Sequence, residues 1–243
     1  MRAVTRDSIS LRGAGAVTIV QQKKGHRFTI DSILLADFCR IKPHDRILEP
    51  GTGTGIISLL LAKKYPHVRI KAVEIQTALA DLCRQNIIDN GLDDQISLLE
   101  QDIRTLKEEV KTSTFDVIVA NAPYTKSGAG RQSPRPERLL SRHDRGADIA
   151  TWLDLRIFLK NKGRYFLVFP AYRLSELISS LRMHRLEPKR MRLVHPYDGK
   201  PAALVLIEAV RSAGIGIEVL PPLIVHDTDS RFTQEMRHIY DLQ

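Results

Sequence analysis

From residue 46 onward, short apolar runs alternate with amphipathic stretches: RILE then IISLLLAKKY, IKAVEI then ALADLCRQNIIDN, followed by ISLLEQ and FDVIVA. Apolar runs of strand length, separated by segments long enough for crossover helices, read as repeated βα units and a mostly parallel sheet. In ALADLCRQNIIDN, Leu79, Leu82, Cys83 and Ile87 recur at three- and four-residue steps, with Arg84, Gln85 and Asp89 on the opposite side. That period predicts a helix with one buried face and puts Cys83 in the core.

The flanks differ from this rhythm. Residues 9–30 set Ile9, Leu11, Val17, Ile19 and Val20 around Gly13 and Gly15, a pattern for a small hairpin. It leads into a helix at SILLADFC, for which Asp31 or Ser32 offers a capping oxygen. After residue 124, KSGAGRQSPRPERLLSRHDRG spreads Gly, Pro and Ser among Lys126, Arg131, Arg135, Arg138, Arg142 and Arg145, which reads as a long loop of the kind that serves function. Beyond it a helix is expected around 148–160, a strand at 164–169 and a helix from Leu174 to Leu181. RMRLVH and ALVLIEAV follow too closely for a crossover helix and should pair antiparallel. Pro221-Pro222 makes the tail near LPPLIVHD a packed extended segment rather than a strand interior.

Composition narrows the functional classes. With 43% hydrophobic residues among 243, the chain has enough apolar content for a core without disulfide or metal staples. No apolar run approaches the ~20 residues of a bilayer span. The opening MRAVTRDSIS has no signal-like apolar core, and Cys39 and Cys83 stand singly, so a reducing, cytoplasmic location is expected. His143 and His195 have no other His or Cys at ligand spacing, and no metal site is expected. The 37 Lys and Arg against 28 Asp and Glu give a net charge of +9, which favours a polyanionic partner through counterion release.

The chemistry begins at Glu49-Pro-Gly-Thr-Gly-Thr-Gly55, between a strand and a helix. Gly51, Gly53 and Gly55 let the backbone approach a ligand and aim amides from the start of the helix. A dinucleotide fingerprint needs glycine where Ile56 stands, and a Walker loop needs Gly-Lys-Ser/Thr at its end, so NAD and ATP are disfavoured. Glu74 closes the next strand, 23 residues after Gly51, where a carboxylate can accept from ribose hydroxyls; a solvent-facing strand end is the plainer alternative. Asp102, ending the third strand, could accept from an adenine amino group or cap the following helix.

The fourth strand runs into Asn121-Ala122-Pro123-Tyr124, at the carboxyl edge where open α/β sheets bind ligands. With the glycine loop and Glu74, this tetrapeptide resembles the class I S-adenosylmethionine-dependent methyltransferases with an Asn-Pro-Pro-Tyr type motif, of the small-domain group. Through SRHD, LVFPAYRL, RLVHP and PPLIVHD the likeness extends over nearly the whole chain, and it is strongest to bacterial tRNA adenine-N6 methyltransferases acting next to the anticodon of a valine tRNA.

The resemblance implies a Rossmann-like α/β fold, with helices on both faces of a seven-stranded, mostly parallel sheet that ends in an antiparallel strand. Residues 1–45 would be a hairpin and helix packed on a methyltransferase domain at 46–243, within one compact domain. It implies S-adenosylmethionine bound by Glu49, Gly51, Gly53, Gly55, Glu74, Asp102 and Asn121, and catalysis by Asn121, Ala122, Pro123 and Tyr124. The Asn121 side-chain oxygen and the Ala122 carbonyl would accept from the target amine, favouring a tetrahedral nitrogen whose lone pair faces the methyl group. Tyr124 would stack on an extruded base. Ala122 departs from the usual proline: its carbonyl survives and Pro123 still biases it toward an extended backbone, but one ring of rigidity is gone. RNA phosphates would meet the 126–145 loop or the stretch with Arg182, Arg185, Lys189, Arg190 and Arg192. The alternatives are N5-methylation of a protein glutamine, of the release-factor type, and an RNA-binding protein with a vestigial pocket.

Overall fold

The computed structural model describes residues 3–23, 27–122 and 149–242. A hairpin, β1 (Val4–Leu11) and β2 (Gly15–Gln22), leads into α1 (Ile30–Phe38). The central sheet begins with β3 (Arg46–Pro50), β4 (Arg69–Glu74), β5 (Ile96–Glu100) and β6 (Phe115–Ala120), with α2 (Ile56–Lys64) and α3 (Thr77–Asp89) as the first two crossovers. Then come α4 (Ile149–Asp154), β7 (Leu159–Pro170), α5 (Leu174–Met183), β8 (Leu186–Tyr197) and β9 (Leu204–Arg211). The tail adds β10 (Glu218–Val219), β11 (Leu223–His226) and α6 (Gln234–Ile239).

The sheet order is β10-β8-β9-β7-β6-β3-β4-β5, with β11 also on β8; β9 runs antiparallel to both neighbours and every other pairing is parallel. The seven expected strands are present, and the tail raises the count to nine. Its two short segments pair end to end along the outer edge of β8, and Pro221 and Pro222 fall between them, where no ladder donor is needed. The expected strand at 164–169 also begins earlier, at Leu159, which pairs with Phe115; the exposed Lys160-Asn161-Lys162 run then bulges out of register before Arg164 pairs with Val117, and Lys160 is 2.7 Å from Asp116.

Period-two alternation decides which core each strand residue enters. Ile47, Ile70, Ala72, Val117, Val119, Phe166 and Val168 face the hairpin, α1, α2 and α3, while Leu48, Val73, Ile118, Ala120, Tyr165 and Leu167 face α4 and α5. Ile56 through Ala62 of α2 are all buried, because this helix lies between the sheet, α1 and the hairpin rather than against solvent. In α3 the apolar face holds as expected, with Cys83 fully buried and its thiol pushed up to about 12 by desolvation.

Asn86, also on that face, is fully buried. Its amide accepts from the Val20 N–H at 2.7 Å and donates to the Val20 and Thr54 carbonyls at 2.9 Å each. Asn86 thereby pairs the hairpin edge at Val20 and ties it to the glycine loop, while Asn90 pairs the same edge at Thr18.

Candidate active site

Strand order reverses between β3 and β6, and ligands of open α/β sheets bind at such a point, beyond the carboxyl ends of the strands. Register aligns the residues there. Leu48 pairs with Ile118, and Pro50 with Val73. Continuing both ladders puts Asn121, Gly51 and Glu74 in one row across three adjacent strands, with ~10 Å between the outer two at the usual strand spacing.

A cavity of about 420 Å³ opens above this row, a size that takes a nucleoside-sized ligand. Glu49, Gly51, Gly53, Glu74, Asn121 and Ala122 all line it. Glu74 is only 5% exposed. Its carboxylate accepts from Gly53 N at 2.8 Å and Gln76 N at 2.9 Å, so it shapes the loop and keeps lone pairs for a ligand. Gly51 and Gly55 have φ of +65° and +91°; a Cβ would lie 2.7 Å from the Trp152 ring at the first and 2.8 Å from Cys83 Sγ at the second. Here glycine is required by contact as well as by backbone.

Glu49 accepts from the Ser58 hydroxyl in the first turn of α2. Burial pushes its carboxyl up from 4.5 to about 7, against the pull of that hydrogen bond. Between these values the folded chain holds a proton that the unfolded chain has lost, so stability falls as pH rises through this window. Glu49→Gln is therefore expected to raise Tm at pH 8 by roughly 6–12 °C, equivalent to about 3 kcal/mol, and to change it little near pH 4.5. Equal shifts at both pH values in thermal melts would contradict the assignment.

Several lining residues were not visible in the sequence pattern. Arg27, Phe28, Thr29, Asp31 and Ser32 come from the segment before the βα repeats, and Trp152 from α4. Asp31 and Ser32 are not the cap of α1. Thr29 stands at that position, without a side-chain cap bond, and Ser32 Oγ instead accepts from Asn121 Nδ2 at 3.0 Å. No periodicity points to Trp152; among the described residues its buried indole Nε1 has no hydrogen-bond partner, and neither has the buried Thr52 Oγ1. Both sit at a cavity that, among the described residues, is lined by three carboxyls, Asp31, Glu49 and Glu74, against one guanidinium, Arg27. These unpaired polar atoms, the glycine cradle and the excess of carboxyls fit a polar ligand carrying ribose hydroxyls and positive charge.

Asp102 is placed differently. It follows β5 but is not part of the cavity lining, and its carboxylate is engaged by the Arg104 guanidinium, with Nε 2.8 Å from Oδ2, and by Arg104 N at 2.8 Å. Pro123, Tyr124, His143 and the basic stretch from Lys126 to Arg145 lie outside the described residues.

The second basic stretch is not one surface. Arg190 is buried, stacked 4.0 Å from the Phe38 ring centroid and paired with Glu208 at 2.9 Å, and Arg192 pairs with Glu235 at 2.8 Å. Arg182, Arg185 and Lys189 are at the amino end of β8. Glu187 is level with Val210, and Val210 with Arg164 and so Val117. That end is three strands and four residues from Asn121, roughly 20 Å. It can meet only RNA well removed from the target. Among the described residues, no cluster of His, Cys, Asp or Glu could hold a metal, and no helix is long and apolar enough to cross a membrane.

The profile of the family described as Methyltransferase small domain matches residues 12–137. A tRNA1(Val) (adenine(37)-N6)-methyltransferase of Vibrio campbellii is 27% identical over 222 residues, covering 90% of each chain. One from Porphyromonas gingivalis is 29% identical over 219 residues, covering 86% of this chain and 85% of that protein. Among solved structures, a protein described as a predicted O-methyltransferase from Agrobacterium tumefaciens superposes with a TM-score of 0.70 at 21% identity, over 87% of this chain and 95% of the other. That likeness shows the class I methyltransferase fold.

Proposed function

Because the chain belongs to the methyltransferase small domain family, we propose that it is an S-adenosylmethionine-dependent methyltransferase acting on adenine N6 of a tRNA, beside the anticodon. The observation that carries this reading is the shared cavity: Asn121 and Ala122 line the same space as the glycine loop and Glu74. The net charge of +9 and the tRNA-modifying relatives support an RNA substrate over a protein one.

We assign cofactor binding to Glu49, Gly51, Gly53, Glu74 and Asn121, with Gly55 shaping the loop from behind, against Cys83, rather than lining the cavity. Glu74 would take the ribose hydroxyls, with the loop amides and Gly51 giving close backbone approach. Asp102, held by Arg104 away from the cavity lining, is left out. S-adenosylmethionine supplies, when bound, a methyl carbon made electrophilic by its sulfonium.

The chain's own part is orientation. The Asn121 side-chain oxygen and the Ala122 carbonyl accept from the two N–H bonds of the target amine, turning its lone pair toward the cavity. Pro123 would keep Ala122 extended, and Tyr124 would stack on the base, as the motif implies. Asn121 is neutral and takes no proton, so the proton lost by the methylated nitrogen leaves to water. Residues 1–45 are assigned to one unit with the methyltransferase domain at 46–243; in support, hairpin and α1 residues pack into its core, and Arg27, Phe28, Thr29, Asp31 and Ser32 wall its cavity.

The direct test is incubation with methyl-labelled cofactor and either total tRNA or a protein extract, followed by digestion. Label in N6-methyladenosine from tRNA is the expected result. Label in glutamine, or in neither pool, overturns the reading.

A further inference from the structure

We propose that Ser32, on a helix that precedes the βα repeats, is a positioning residue for Asn121 and supplies the restraint that a proline at position 122 would otherwise give. The inference rests on the function proposed above and adds a residue to its machinery.

Ser32 is 5% exposed, and its hydroxyl accepts from Asn121 Nδ2 at 3.0 Å. Both residues line the cavity, although 89 positions separate them. The terminal torsion of asparagine is broad and roughly two-fold, so an untethered amide presents its NH2 or its oxygen with little preference. Only the oxygen is useful here, because an amide NH2 would meet the N–H bonds of the target donor to donor. In the observed arrangement Nδ2 is the branch that meets Ser32, and since Nδ2 and Oδ1 diverge from the same carbon, Oδ1 is the branch turned away from the helix; the orientation is kept as long as the Ser32 hydroxyl acts as acceptor.

The anchor is rigid. Ile33, Leu34, Leu35 and Ala36 next to it are at most 1% exposed and packed against α2 and the sheet. Ala122 gives no such restraint. It is buried at 3% exposure, yet it has no ring to hold φ near −65° or to bias Asn121 toward an extended backbone. A bond through space thus acts on the residue that a covalent ring in the next position would otherwise hold.

The test is steady-state kinetics with tRNA on Ser32→Ala and on the near-isosteric Ser32→Cys, whose thiol is a weak acceptor. Both should lower kcat about tenfold, while KM for tRNA and the affinity for S-adenosylhomocysteine stay within about twofold. Two couplings separate positioning from packing. In an Asn121→Ala background, Ser32→Ala should cost less than about twofold more, because it has no amide left to orient. Added to Ser32→Ala, Ala122→Pro should recover most of the lost kcat.

Unchanged kcat in Ser32→Cys, or a full additional loss in the Asn121→Ala background, overturns the inference. If Ser32→Ala fails to fold, the cysteine variant decides. If Asn121→Ala itself retains full turnover, the functional reading fails first, so the two failures are distinguishable.

Discussion

Asn121→Ala is expected to lower turnover by about 10²- to 10³-fold, the usual effect of deleting one preorganised polar group from a reacting centre. Affinity for S-adenosylmethionine should stay within about threefold, because on the proposed assignment most of the cofactor contacts would come from the glycine loop and Glu74, with Asn121 only one contact among several. The asymmetry is the informative part. A residue acting through the fold would lower cofactor affinity and thermal stability together with turnover, whereas an acceptor for the target amine loses kcat alone. Calorimetric titration and a melting curve on the same preparation separate the two. Retained turnover would remove Asn121 from the chemistry.

Gly55→Ala carries the second large effect, this time on stability. Gly55 sits at φ +91°, and the added methyl would lie 2.8 Å from Cys83 Sγ, inside a core where Cys83 is fully buried. Left-handed backbone strain adds to overpacking, for a loss of about 3 kcal/mol. Gly91→Ala is the internal control: φ is +64° and nothing lies within 4 Å of the new methyl, so only the backbone part, about 1 kcal/mol, should be lost. Cys83→Ala in the Gly55→Ala background should return part of the difference by making room. Equal losses at the two glycines in denaturant titrations would show that the packing against Cys83 is not a constraint.

What could be read in advance follows the range of the signal. Helices α2 and α3, strands β3 to β6 and the glycine loop are visible because their evidence is local: period, turn residues and an unbroken order along the chain. The hairpin is visible for the same reason. Strand β7 extends beyond its apolar run because Leu159 pairs with Phe115 across an exposed bulge at 160–162, which has no apolar alternation to mark it. The tail strands were missed because their reason for pairing is the open edge of β8, which no local pattern reveals.

The candidate site divides in the same way. Gly51, Glu74 and Asn121 each ended a strand that could be recognised, so their presence at one edge was legible. Trp152 and Ser32 were not. One packs its ring against Gly51 from α4, and the other reaches Asn121 from α1; neither contact has a spacing that could announce it. The cluster at Arg182, Arg185, Lys189, Arg190 and Arg192 misled for the converse reason. Neighbours in sequence, they divide in space between a buried pair with Glu208, a pair with Glu235 and the far end of a strand.

The chain alone determined the alternation of strands and helices, the loop from Glu49 to Gly55 and the amide motif after the fourth strand. These are properties of side chains at short separation, and local sterics and hydrophobic period act there. Only the folded molecule decided that Gly51, Glu74 and Asn121 stand in one row, that the Asn121 amide meets Ser32, that Asp102 is occupied by Arg104, and that Arg190 and Arg192 are paired with Glu208 and Glu235. Those outcomes depend on ladder register and on how helices cross the sheet, quantities set by the packing of the whole core rather than by any one segment.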